Sequence, residues 1–218
     1  KYNKKIKANE SMVLFINDQT KQSSFNASIP QVVAELFKEY KRSKQLLKKG
    51  VVEIQIDKAA NAQRVIFAHL GDINEYDVDT FRKTAGNVVR KCKQLSSVQW
   101  ISIDSVSQWD HHVAQVIEMV EYEVPHQKSD AKKNTYPKHS IVSENKSLVD
   151  DGVVIGQAVN KARSFANLPA NILTTTEFVN QIKALFKSDK RYKLTILTEK
   201  ELIAKKMNAL LGVGQGSK

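Results

Sequence analysis

Cysteine is nearly absent from this 218-residue chain: Cys92 stands alone. That excludes an internal disulfide framework and any zinc cluster built on cysteines, and it makes a cytoplasmic setting the default. Long apolar runs are also missing. The longest clean one, Met12 to Ile16, falls far short of the roughly 20 residues a membrane span needs. No apolar segment follows the basic first residues, so neither a secretory signal nor a membrane partner is expected. Glycine is sparse before residue 147, with only Gly50, Gly71 and Gly86, each isolated. A glycine-rich loop able to approach a diphosphate is therefore lacking in that part, which argues against a nucleotide-ribose binder. Arginine is much scarcer than lysine, and no aromatic residues interleave with the lysines as a base-stacking surface would require.

What is present is a 41% apolar fraction, enough for a core, and a net charge of +11. The charge concentrates at Lys38 to Lys49, Arg82 to Lys93 and Lys128 to Lys138. A solvated lysine surface accounts for it. The alternative is a basic nucleic-acid-binding module, which would lose affinity steeply with salt.

Apolar patterning places the elements. Met12 to Ile16 reads as a buried strand. Pro30 opens a helix with Val33, Phe37 and Tyr40 on one face, stopped at Lys48-Lys49-Gly50. Val51 to Ile56 alternates as a half-exposed strand, and Arg64 to Leu70 is a more buried one closed by Gly71. Asp77 to Leu95 is helical, Val98 to Ile103 a strand, Gln108 to Tyr122 a helix, 123 to 138 a polar loop and His139 to Ser143 a short strand. The order predicts an α/β layered domain over residues 1–146 with a mostly parallel or mixed sheet.

A second unit begins at Ser147. Val154, Ala158, Ala162 and Phe165 recur at helical spacing, and the small residues Gly156, Ala158 and Ala162 invite close packing of another element. This helix has to stop before Pro169, because the residue ahead of proline avoids the helical region. Thr174 with Glu177, and Thr198 with Glu201, read as capping boxes starting two further helices. The first carries Phe178, Ile182, Leu185 and Phe186 on one face, and Lys193 to Leu197 reads as a strand between the two.

Chemistry-bearing patterns are few. The tail "GVGQGSK" has the wrong order for a Walker loop, since Ser217 precedes Lys218, and Gly212, Gly214 and Gly216 are evenly spaced; a glycine turn is expected. His111 and His112 are adjacent on a helix, so their side chains should diverge by about 100° and not share a metal. His69 reads as a strand-end residue, and His126 and His139 flank the loop. Cys92 lies on an amphipathic helix and reads as buried and inert. Capping accounts for Asp72, Asp77 and Asp79. From the residues alone, no catalytic group and no metal ligand is assigned.

The stretch Arg163-Ser-Phe-Ala-Asn167-Leu-Pro169-Ala-Asn171-Ile-Leu-Thr174 resembles the junction of the leucyl (cytosol) aminopeptidases, where an interdomain helix meets the metallopeptidase domain. Asn208-Ala-Leu-Leu-Gly212-Val-Gly214-Gln-Gly216 is similar to that family's next block, at the matching distance. One departure is Thr175, where the family usually has proline. The resemblance implies a macro-domain-like mixed sheet flanked by helices over 1–146, an interdomain helix over 147–168, and the first α/β elements of the metallopeptidase domain over 169–218. It implies an enzyme that removes N-terminal residues from peptide substrates with two divalent metal ions, zinc or manganese, assembled as a homo-hexamer. The family's metal ligands lie in blocks after the glycine-rich one, so none is carried onto this chain. Arg163, Asn167, Pro169, Asn171, Thr174 and the three glycines are expected to be structural, and residues 1–218 alone to be inactive and free of catalytic metal. The resemblance also requires a break in the helix between Phe165 and Thr174 and a strand at Leu194 to Leu197.

Overall fold

The run Met12 to Ile16 becomes the middle of a six-stranded sheet. In the computed structural model, which describes residues 2–7, 10–25, 28–42, 50–56, 63–103, 109–124, 135–187 and 189–216, the elements are β1 (Tyr2–Asn3), β2 (Ser11–Ile16), α1 (Gln31–Arg42), β3 (Gly50–Gln55), β4 (Arg64–His69), α2 (Val78–Lys91), β5 (Ser97–Ser102), α3 (Asp110–Glu121), β6 (Lys138–Val142), α4 (Lys146–Ala166), α5 (Thr175–Phe186), α6 (Glu199–Ala204) and α7 (Asn208–Gly214). The chain divides into two units, residues 1–123 with 128–160, and residues 124–127 with 161–218.

In the first unit the strand order is β1-β6-β5-β2-β4-β3. All neighbours are parallel except β3, which runs antiparallel to β4 at the edge. Period-two alternation sorts the central strands onto two cores. Val13, Phe15, Ile66, Ala68, Val98 and Trp100 face α2, α3 and the start of α4. Met12, Leu14, Ile16, Val65, Phe67 and Ile101 face α1 through Val33 and Phe37. Strands covered on both faces read as continuous apolar runs, which is why β2 and β4 were legible and the half-exposed β3 alternated. The α/β class and mixed sheet are as expected.

Local chemistry sets the boundaries. Asp77 caps α2 by accepting from the Thr80 amide at 2.8 Å. Gly71 takes a φ of 91° after β4, the left-handed region glycine reaches freely, and its carbonyl accepts from the Asp18 amide at 2.9 Å. Gly50 does not stop α1: it is the first residue of β3, paired with His69. Lys48 and Lys49 lie outside the described residues. β1 escaped sequence reading because two residues carry no period.

In the second unit α5 and the short α6 and α7 follow the end of α4. The expected strand at Lys193 to Leu197 is corrected: residues 192–198 are neither helix nor sheet. Leu194 and Ile196 are exposed there. The alternation is real, but a strand is defined by a partner's ladder, and among the described residues none pairs with it. Gly212 and Gly214 form no glycine turn either; both lie inside α7, with Gly216 in the turn beyond.

Candidate functional site

The junction residues occupy one corner. α4 ends at Ala166, and its last turn tightens, the Asn167 amide donating to the Arg163 carbonyl at 2.9 Å and the Leu168 amide to the Phe165 carbonyl at 3.2 Å. Pro169 then begins a turn in which its carbonyl accepts from both the Ile172 and Leu173 amides at 2.9 Å. Thr174 is the N-cap of α5, its Oγ1 accepting from the Glu177 amide at 3.2 Å. The Phe165 ring meets Phe178 edge-on at 5.2 Å, fixing the two helices across the turn. The required break between Phe165 and Thr174 is therefore present.

The capping box at Thr174 is only half formed. The Glu177 carboxylate accepts from Gln181 Nε2 one turn on, at 3.1 Å, instead of reaching back. At Thr198 both halves exist: Glu201 Oε2 accepts from the Thr198 amide at 2.7 Å. The backbone bond holds the Glu201 carboxyl below its usual range. α6 ends at Ala204 with Lys205 as its C-cap, the next residue Lys206 takes the left-handed region at φ 57°, and α7 follows from Asn208. Arg163 and Thr174 are half-buried, whereas Asn167, Pro169, Asn171, Gly212 and Gly216 are exposed. A Cβ at Gly212 or Gly214 would meet nothing within 4 Å. The structure thus joins the five junction residues in one corner and puts Gly212 and Gly214 on a separate helix beside α6, with Gly216 in the turn beyond it.

Among the described residues no group of three or more His, Cys, Asp or Glu side chains could hold a metal ion. The donors here do not fit the two-metal centre that the resemblance implies, so no step is derived through one. Of the described histidines, His69, His112 and His139 have polar partners. His139 Nδ1 accepts from Trp100 Nε1 at 2.9 Å, and its Nε2 lies 3.0 Å from Glu121 Oε1. His69 Nε2 lies 2.9 Å from Asp18 Oδ1. His111 and His112 do not diverge as expected: their ring centroids are 3.7 Å apart. Arg82 Nη2 donates to Gln115 Oε1 at 3.1 Å and lies 3.2 Å from His112 Nδ1. Burial, then the charges of His111 and Arg82, push His112 down to about 4. His126 lies outside the described residues. Cys92 is fully buried, and burial pushes its thiol up to about 12.

The described parts of the first two basic stretches do not form one patch. α1 and α2 lie on opposite faces of the sheet. Lys41 Nζ donates to the Thr20 carbonyl at 2.7 Å, and Lys93 sits 5.2 Å over the Tyr136 ring. Most of Lys128 to Lys138 lies outside the described residues.

Residues 160–218 match the model of the cytosol aminopeptidase family, catalytic domain. This part of the chain is similar to that family's catalytic domain. The match covers the very residues where the strand is missing, so the requirement of sheet at Leu194 to Leu197 is too strict. Among solved structures, a mutant of tomato leucine aminopeptidase is similar with a TM-score of 0.68 at 14% identity, over 94% of this chain and 45% of that one. The bottromycin maturation enzyme BotP in complex with Mn is similar with a TM-score of 0.63 at 18% identity, over 83% of this chain and 37% of that one. These likenesses are of fold. The chain spans less than half the length of either structure.

Proposed function

We propose that the chain is part of a metal-dependent leucyl aminopeptidase that removes N-terminal residues from peptides. In this reading residues 1–146 serve assembly and regulation, 147–168 form the interdomain helix, and 169–218 begin the metallopeptidase domain. The two divalent ions, zinc or manganese, are bound by residues beyond Lys218, in a cytoplasmic homo-hexamer. The family match at 160–218 carries the proposal, and the helix–turn–helix corner at Pro169 supports it. The protein taken intact from its natural source tests it. The expected result is a species about twice this length or more, as the covered fractions of the similar structures suggest, with chelator-sensitive hydrolysis of a leucine amide. An intact protein of this length, or a longer one without that activity, contradicts the proposal.

A further inference from the structure

The carboxyl edge of the sheet carries a cleft of about 730 Å³ that the peptidase reading does not use. Its walls come from four separate stretches: Lys4 and Lys5 after β1, Ser28 ahead of α1, Ser102 with Asp110 at the passage from β5 to α3, and Ser143 after β6. Sheet topology explains its position. β2 and β5 are parallel neighbours, yet β2 delivers the chain to α1 on one face and β5 delivers it to α3 on the other. Strands whose connections part in this way leave a crevice beyond their carboxyl ends, where open α/β sheets bind ligands.

The lining has a definite chemistry. Asp110 is the first residue of α3, Asn145 directly precedes α4, and both line the cleft. Helix starts carry partial positive charge, and the exposed ammonium groups of Lys4 and Lys5 add to it. Asp110 is 1% exposed, and Ser102 Oγ donates to its Oδ1 at 2.6 Å. Burial holds its carboxyl above the usual range. A carboxyl lining a cleft beyond the carboxyl ends of the strands can accept from sugar hydroxyls. None of Gly50, Gly71 and Gly86 lines the cleft, and Glu144 does, so a diphosphate is poorly served and a single phosphate suits it better.

We propose that this cleft binds a phosphorylated sugar, its phosphate held by Lys4 and Lys5 and its hydroxyls set over the Ser102–Asp110 pair. The site is independent of the peptidase proposal. Calorimetric titration of the full 218-residue chain at low salt, with ribose 5-phosphate, ribose and inorganic phosphate, tests it. Ribose 5-phosphate is expected to bind saturably, and each of the others at least about tenfold more weakly. Lys4→Ala with Lys5→Ala should weaken ribose 5-phosphate about tenfold. Lys83→Ala with Lys91→Ala, an equal charge change on exposed positions of α2, should leave it unchanged. Ser102→Ala should weaken ribose 5-phosphate but not inorganic phosphate. Absence of saturable binding overturns the proposal. So does equal affinity for inorganic phosphate, which would mean an adventitious ion only, or equal losses in the two lysine pairs.

Discussion

A Cβ placed on Gly152 would stand 2.1 Å from the carbonyl oxygen of His111. One turn on, a Cβ on Gly156 would stand 2.6 Å from the Glu118 Cβ. These two glycines let α4 lie directly against the backbone of α3, and Asn160 Nδ2 closes the contact by donating to the Glu118 carbonyl at 2.8 Å. Gly152→Ala should therefore destabilise the protein by about 1–3 kcal/mol through overpacking, more than the roughly 1 kcal/mol alanine gains in helix propensity. Ala158→Gly, at an exposed position of the same helix, should cost only about that propensity difference. Urea denaturation of the two variants makes the comparison; a Gly152→Ala midpoint at or above that of the parent chain would remove the close contact from the account.

His112 predicts a pH dependence. Its folded pKa lies below the unfolded value of about 6.5, so between that and about 4 the unfolded chain binds more protons. Stability from this group is present above pH 6.5 and falls as pH drops through the window. Asp110 runs the other way, because its raised pKa favours the folded state only at acid pH. Denaturation at pH 7.5 and 5 should show a smaller loss in His112→Gln than in the parent chain; identical losses would contradict the assignment.

Cys92 should stay unmodified by a thiol reagent under native conditions and react fully in denaturant, since a buried thiol with a pKa near 12 offers almost no thiolate. Rapid native labelling would show that the core around α2 opens easily.

For the basic surface, the expected outcome is no discrete DNA retardation even at about 50 mM salt. Lysines divided between opposite faces of the sheet cannot neutralise one contiguous run of phosphates. Retardation at about 50 mM salt that falls steeply by about 200 mM would favour the nucleic-acid module instead.

The parts legible in sequence were those whose cause is local or periodic. β2 and β4 showed as buried runs, α2 as a stripe ending in Cys92, and the helix stop before Pro169 as a steric rule. Features made by distant residues stayed hidden. Leu194 to Leu197 alternates correctly but has no partner strand among the described residues, and the Glu177 carboxylate found Gln181 closer than its own cap. Of the small residues on α4, Gly156 packs as expected with Gly152, whereas Ala158 and Ala162 face solvent. The cleft joins Lys4, Ser28, Ser102 and Ser143, which no window of sequence contains together. The junction motif was visible because its residues are consecutive.

The central claim is that the peptidase chemistry is supplied by residues outside 1–218. Its most direct test is the release of p-nitroaniline from leucine p-nitroanilide by the purified chain, with manganese or zinc added. The account predicts no turnover above the metal-only blank; release that a chelator abolishes and metal restores would contradict it.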